Sequence, residues 1–302
     1  MTVEWAYATP VAKPWGKVDL RPWSALGGSG EAIGEIRFER MGRDVARPAL
    51  LLKLLFTAEA LSIQVHPDDA RASAMGLPNG KSEAWYVLDA RPGAEVGLGL
   101  LRTLNNQALR AAVEDGGMVG LVNWVGVRPG DFLSVPAGTI HALGGGMVVA
   151  EVQQNSDATF RLFDYGRPRP LHLDEAIAAS HAGPRPPQAA PRQLGANRTL
   201  LGDLPCFVVE ALDLAPGTDW RLHARQETWL LIIGGGACCA GREARCGEAL
   251  LIEAATVNIL AGPDGLRALV AYPGPLQDRL LEAGAADLSP QPCGADAAGL
   301  AA

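Results

Sequence analysis

The sequence predicts a mainly β chain, built as two β-barrel-like halves with a few short helices. Three observations carry this. Leu61-Ser62-Ile63-Gln64-Val65-His66 alternates, with Leu61, Ile63 and Val65 on one face of a strand and Ser62, Gln64 and His66 on the other. Short apolar runs at residues 207–210, 228–233, 249–252 and 268–271 are separated by glycine turns, as in a small sandwich or barrel. Between these regions lies a proline-rich stretch at 183–192, which composition marks as an extended linker. The boundaries that follow are 1–182 for a first domain, 193–283 for a second, and 284–302 for an Ala/Gly/Pro-rich tail expected to be disordered.

Composition narrows the function. With 302 residues, 48% of them hydrophobic, the chain can bury a sizeable core. Acidic residues number 33 against 26 basic, for a formal net charge of −7, which argues against a nucleic-acid partner. A protein so charged must gather local positive charge to bind an anionic substrate, so basic residues near a site carry extra weight. No apolar run reaches the length of a membrane span. Met1-Thr2-Val3-Glu4-Trp5 lacks the regions of a signal peptide, and five cysteines without regular spacing suit a reduced, cytoplasmic protein.

Residues 1–48 are rich in turns, with the clearest strand at 32–39 and with Trp15 expected in the core. Residues 49–56 form a continuous apolar run broken only by Lys53. Its length and the preceding Pro48 favour a buried strand, which the turn at 57–60 would join to the His66 strand as a hairpin. Pro67 ends that strand, and 67–75 reads as a short helix with Asp68 as N-cap; Asp68 and Asp69 are cap and turn residues rather than ligands. Residues 80–88 form a strand with Glu83, Trp85 and Val87 on one face. Residues 103–115 form the best helix, with a stripe of Leu104, Ala108, Leu109, Ala112 and Val113 and a stop at Gly116-Gly117. A strand at 130–135 enters the turn Pro136-Ala137-Gly138 and delivers His141. In the strand that follows, Asp157, Thr159 and Arg161 are expected to share a face. Residues 173–180 form a second helix flanked by His172 and His181, both in surface or packing roles.

Gln64, His66, Glu83 and His141 together offer an amide, a carboxylate and two imidazoles. Two imidazoles with one carboxylate suit zinc or another borderline divalent metal, with a position left for water or substrate. The absence of sulfur argues against a closed structural zinc site. Gln64 is a weak ligand and would leave the ion more Lewis acidic.

Gly130-x5-Pro136-x-Gly138-x2-His141 fits the second motif of the cupin β-barrels, and Gln64-x-His66 stands where their first motif has its metal-binding strand. The segments at 64–69 (QVHPDD), 80–86 (GKSEAWY), 136–142 (PAGTIHA) and 153–162 (QQNSDATFRL), in that order, closely resemble the type I mannose-6-phosphate isomerase family. The resemblance is strong over about residues 10–180 and weak beyond. Lys13-Pro14-Trp15-Gly16 and Gly34-Glu35-Ile36 add to it, while Arg37 departs from an aromatic or Ser-Trp element usual just after the Glu.

The resemblance implies two cupin-type jelly-roll β-barrels and one Zn2+ per chain, held by Gln64, His66, Glu83 and His141. It implies reversible conversion of D-mannose 6-phosphate to D-fructose 6-phosphate through a cis-enediol. Arg161 matches the family's catalytic arginine, Lys81 a site lysine and Ser62 a phosphate-region serine, so Ser62, Lys81 and Arg161 are the expected substrate contacts. Asp157 would transfer a proton or orient Arg161, and the base stays open among Lys81, Asp157 and a water on the metal. Arg167 and Arg169 are expected to be solvated loop charges. With one helix between Glu83 and His141, the chain resembles the compact bacterial members. In the second half, His223 sits where a first motif would be, but Arg225 replaces the expected second His, so that half resembles a degenerate, structural cupin. The implied partner is a small sugar phosphate, with no nucleic acid and no membrane, for a monomer or weak homodimer. An isomerase of another aldose or aldose phosphate, and a non-catalytic sugar-binding metal cupin, remain as alternatives. A cupin oxygenase is disfavoured by Gln64 and the sparse histidines.

Overall fold

The computed structural model describes residues 1–28, 30–40 and 46–284; the tail expected to be disordered lies, apart from Gly284, outside the described residues. The first half runs β1 (Thr2–Trp5), β2 (Tyr7–Lys17), β3 (Ile33–Glu39), β4 (Leu50–Thr57), β5 (Ile63–Val65), α1 (Asp69–Ala74), β6 (Glu83–Ala90) and β7 (Glu95–Leu100). It continues through α2 (Asn106–Glu114), α3 (Met118–Leu121), β8 (Val122–Gly126), β9 (Phe132–Val135), β10 (His141–Leu143), β11 (Met147–Gln154), β12 (Phe160–Phe163) and α4 (Leu173–Ala179). The second half adds β13 (Arg192–Gly195), β14 (Arg198–Asp203), β15 (Phe207–Leu214), β16 (Asp219–Ala224), β17 (Thr228–Cys239), β18 (Arg242–Arg245), β19 (Ala249–Glu253), β20 (Ala255–Pro273) and β21 (Leu281–Ala283).

The mainly β fold is as expected, but the described sheets do not close into barrels. The first half makes a six-stranded sheet, in order β2-β3-β4-β11-β6-β9, and a five-stranded sheet, β12-β5-β10-β7-β8. The second half makes one ten-stranded sheet along β1-β19-β17-β20-β15-β14-β13, with β16, β18 and β21 attached. The chain's first strand, β1, thus pairs with β19 of the second half. A physical reason for an open edge lies in β2, where Pro10 and Pro14 cannot donate to a further strand.

The expected hairpin between the apolar run and the His66 strand does not form. β4 pairs with β3 and β11, whereas β5 pairs with β10 and β12 in the other sheet. The turn after β4 therefore carries the chain from one sheet to the next. β4 is buried along its whole length, which explains its unbroken apolar sequence. Leu50, Leu52, Leu54 and Phe56 join Phe207, Val209, Trp229, Leu231, Leu251 and Leu269 of the second half in one core. At about 1.5–3 kcal/mol for each fully buried side chain, this row is a strong link between the halves.

The other face of the six-stranded sheet looks toward the five-stranded sheet. At one end Trp15, Leu55, Trp85, Val96, Leu98, Val135, Leu143, Met147 and Val149 fill the space with apolar side chains. The helices cover the outer face of the five-stranded sheet, against Ile63, Val65, Ile140, Phe160 and Leu162. Their caps match the sequence: Asp68 accepts from the Arg71 N–H at the start of α1, and Asn105 from the Ala108 N–H at the start of α2. Because Ile63 and Val65 point outward, Ser62, Gln64 and His66 point between the sheets.

Candidate metal centre

Four strand segments bring the expected ligands together. Gln64 in β5 lies in register with His141 at the start of β10 on one side and with Arg161 in β12 on the other. Glu83 opens β6, in register with Val135 and Gln153. Ligating atoms of His66, Glu83 and His141 lie within 4.8 Å of one another, and all three residues are buried.

Both imidazoles are oriented from behind. His66 Nδ1 is 2.7 Å from the Ala158 carbonyl and His141 Nδ1 is 2.8 Å from the Thr139 carbonyl. A carbonyl only accepts, so each Nδ1 carries the proton and each Nε2 turns a lone pair inward. Nε2 of His66 and of His141 lie 3.0 and 3.6 Å from the Glu83 carboxylate. The turn ahead of His141 is tightly built. Gly138 has φ of 86°, and a Cβ there would come within 2.6 Å of the His181 ring, so only glycine fits.

Electrostatics favour a cation at this point. Lys81 Nζ is 2.8 Å from Glu83 Oε1 and 3.1 Å from His66 Nε2. Even so, neither Glu83 oxygen receives a well-aimed hydrogen bond, leaving a buried carboxylate with unused acceptor capacity. Burial pushes the Glu83 carboxyl up, but Lys81, His66 and His141 outweigh it and hold it well below the usual carboxylate range. Burial, reinforced by the Lys81 charge, lowers His66 to about 3, and burial also lowers His141. Both histidines are therefore neutral near pH 7, the form a metal requires. Gln64 Nε2 sits 3.3 Å from His141 Nε2, while Gln64 Oε1 accepts from the Ser62 hydroxyl at 2.9 Å. A half-turn of the amide would present Oε1 to the same centre, with Ser62 then accepting from the amide. The donor set fits a divalent metal.

The depressed histidines predict the pH response of metal-free protein. His66 is lowered from its unfolded value of 6.5, so its contribution is complete above pH 6.5 and is lost as the pH falls toward about 3. Urea melts of metal-stripped protein should lose up to about 1.4 kcal/mol per pH unit from this group within that window.

The structure places the remaining expected residues unequally. Ser62 and Lys81 are buried beside the ligands. Arg161 makes no ion pair among the described residues, and its buried Nε has no partner. Burial and the neighbouring Arg169 both lower its pKa, against the opposing charge of Asp164. Asp157 is different. β12 begins only at Phe160, so Asp157 and Thr159 do not share a strand face with Arg161. The Asp157 side chain is 68% exposed and lies 3.7 Å from Arg37. Arg167 and Arg169, expected as solvated charges, instead grip the buried Asp164, Arg169 with two hydrogen bonds of 2.6 Å. His223, at the second half's vacant motif, pairs with Thr256 and Glu282, each at 3.0 Å.

Lys53, which sequence alone leaves open as a snorkelling, paired or site-proximal residue outside the expected site, and Glu151 both lie by the centre. Lys53 of β4 is in register with Glu151 of β11, which is in register with Trp85. Buried Lys53 Nζ lies 3.0 Å from Glu151 Oε1 and 2.5 Å from Gln153 Oε1, while the Trp85 indole donates to Glu151 Oε2 at 3.3 Å. Burial would lower Lys53, but Glu151, Glu35 and Glu83 together raise it. Lys13 and Arg37 each take one oxygen of Glu35 at 2.9 Å. A charged row thus extends from the metal centre along the inner face of the six-stranded sheet.

No family model matches the chain. A mannose-6-phosphate isomerase of Streptococcus mutans is 34% identical over 203 residues, covering 64% of this chain and 64% of that protein. A probable mannose-6-phosphate isomerase of Bacillus subtilis is 42% identical over 135 residues, 42% of each. The chain therefore matches less than two thirds of the length of these relatives. Among solved structures, the mannose 6-phosphate isomerase from Bacillus subtilis aligns with a TM-score of 0.78 at 24% identity, covering 90% of this chain and 100% of that one. A phosphomannose isomerase mutant from Salmonella typhimurium aligns with a TM-score of 0.69 at 18% identity, covering 90% of this chain and 100% of that one. These structures share the fold.

Proposed function

We propose that this chain, a sequence relative of the mannose-6-phosphate isomerases with their fold, is a metal-dependent aldose–ketose isomerase that interconverts D-mannose 6-phosphate and D-fructose 6-phosphate. The observation that carries the proposal is Arg161, held without a carboxylate partner and in register with Gln64 on the strand next to the His66–Glu83–His141 cluster. A half-buried guanidinium left unpaired next to a metal site suits an anionic ligand or a developing negative charge.

The local charge supports a phosphorylated sugar. In a chain of net charge −7, Lys13, Arg37, Lys53, Lys81 and Arg161 surround the site and outnumber Glu35, Glu83, Glu151 and Asp157 by one. A divalent ion would raise the excess to three.

Gln64, His66, Glu83 and His141 would hold one Zn2+, which supplies Lewis-acid stabilisation of the sugar oxygens when bound. Isomerisation moves a proton between C2 and C1 through a cis-enediol, so a group must shuttle that proton. Lys81, buried against Glu83 and His66, would do this, and its position beside the cluster supports the role. Arg161 would stabilise negative charge on O1 and O2, and Ser62 would hold Gln64 and contact substrate. Asp157, at the exposed rim with Arg37, would act on substrate entry or at the outer end of the bound sugar. In this scheme residues 1–182 carry the chemistry and residues 193–283 support them, in a cytoplasmic protein that is a monomer or weak homodimer.

Proton shuttling through an enediol leaves an isotopic trace. Turnover in D2O should place deuterium at C1 of fructose 6-phosphate, read by NMR. Complete retention of the substrate hydrogen at that carbon would count against solvent-exchanging proton transfer by Lys81.

A further inference from the structure

Among the described residues the second half holds no cluster of potential metal ligands, yet it reaches the frame that holds the metal centre. The half-buried Glu227 carboxylate receives the Ala49 N–H at 2.5 Å, the Leu50 N–H at 2.9 Å and the Trp229 indole N–H at 3.1 Å. Two of these donors belong to the start of β4 in the first half. No ion pair to Glu227 occurs among the described residues, so two main-chain N–H groups and the Trp229 indole are what hold it.

The start of β4 is tied to both sides of the metal centre. The Asn155 N–H donates to the Ala49 carbonyl at 2.9 Å, and its side-chain amide to the Pro48 carbonyl at 2.8 Å. Asn155 leads directly to Ala158, whose carbonyl orients His66. Gln154, in register with Leu50, accepts from the Ser82 N–H at 2.9 Å and donates its own N–H to the Ser82 carbonyl at 3.0 Å. Ser82 lies between Lys81 and Glu83, and its hydroxyl accepts from the Ala137 N–H in the turn before His141.

We propose that Glu227 is a positioning residue through which the second half sets the grip of the metal centre, acting by way of Leu50, Gln154 and Asn155 on Glu83 and His66. The inference rests on the metal-site part of the proposed function and not on its substrate. A metal ligand gains affinity from the groups that fix its orientation, typically by factors of about 10–100. Here that fixing is done across the interface between the halves by a carboxylate rather than by apolar packing alone. Gln has one acceptor oxygen, so Glu227→Gln must leave the Ala49 or Leu50 N–H facing an NH2 group.

The test measures zinc release from zinc-loaded protein to a chromogenic chelator, with no substrate present. Glu227→Gln should speed release about tenfold, and its cobalt-loaded form should show a shifted visible spectrum. Val270→Ala is the control, since Val270 is buried in the second half's other core, which does not include β4 or the metal-site strands. With a comparable fall in Tm it should release zinc within twofold of the unmodified protein. Release from Glu227→Gln at the original rate, or equal acceleration by Val270→Ala, would overturn the proposal. If Glu227→Gln does not fold, Glu227→Asp, whose shorter side chain draws the carboxylate back from the Ala49 and Leu50 N–H groups, takes its place and must still speed release severalfold; an unchanged rate there is equally fatal. A chain that shows these zinc effects but no isomerase activity would keep this inference and lose the substrate assignment.

Discussion

Replacing His141 with alanine is expected to remove metal and turnover together. His141 supplies an inward-facing Nε2 that no neighbour can replace, because the ring is pinned at Nδ1 by the Thr139 carbonyl and closed off by Trp85, whose ring meets it edge-on at 5.5 Å. The substitution also leaves Glu83, buried and already short of hydrogen bonds, with one ligand partner fewer. Loss of Lewis-acid stabilisation is worth several kcal/mol, so activity should fall by roughly a thousandfold or more. Elemental analysis of the purified variant should find metal well below one ion per chain. A variant that retained full metal and lost only turnover would move His141 out of the ligand set.

Arg161→Ala is expected to separate the two properties. Arg161 lies beside Gln64 in the five-stranded sheet but makes no ion pair with the ligands. The metal should therefore stay, while kcat falls about 100- to 1000-fold, the usual cost of deleting a group aimed at developing charge. Because Arg161 is partly buried next to Arg169, its removal also relieves a repulsion, and Tm should not fall sharply. An unchanged kcat would show that Arg161 serves packing or the loop that follows it.

The contrast between these variants reflects what the sequence does and does not encode locally. The alternation of Gln64 and His66 against Ile63 and Val65 was legible because one face packs on helices and the other must not, whereas Leu61, ahead of β5, packs in the core between the sheets. Helix caps at Asp68 and Asn105 were equally local. Lys53 was not legible as a site residue. It interrupts an apolar run whose two faces are both buried, and its partner Glu151 is 98 residues away. Only the pairing of β4 with β11 makes Lys53 an interior cation; a charge at the same alternate position in both strands was the available signal. The hairpin expected after β4 failed for the same reason, since nothing in residues 57–60 specifies which sheet the next strand will join. Asp157 was placed on a strand face by extending period-two alternation past the point where hydrogen bonding begins, at Phe160. Barrel closure likewise depends on edges, and the prolines of β2 carry that information only once β2 is known to be an edge.

In the proposed function the His66–Glu83–His141 centre, loaded with metal, isomerises mannose 6-phosphate. The most direct measurement is a coupled assay of the purified chain for fructose 6-phosphate, before chelation, after chelation and with zinc restored. Turnover should disappear with the chelator and return with zinc. No fructose 6-phosphate from protein with zinc verifiably bound would contradict it, and would point instead to another aldose or to a metal cupin that binds sugars without turning them over.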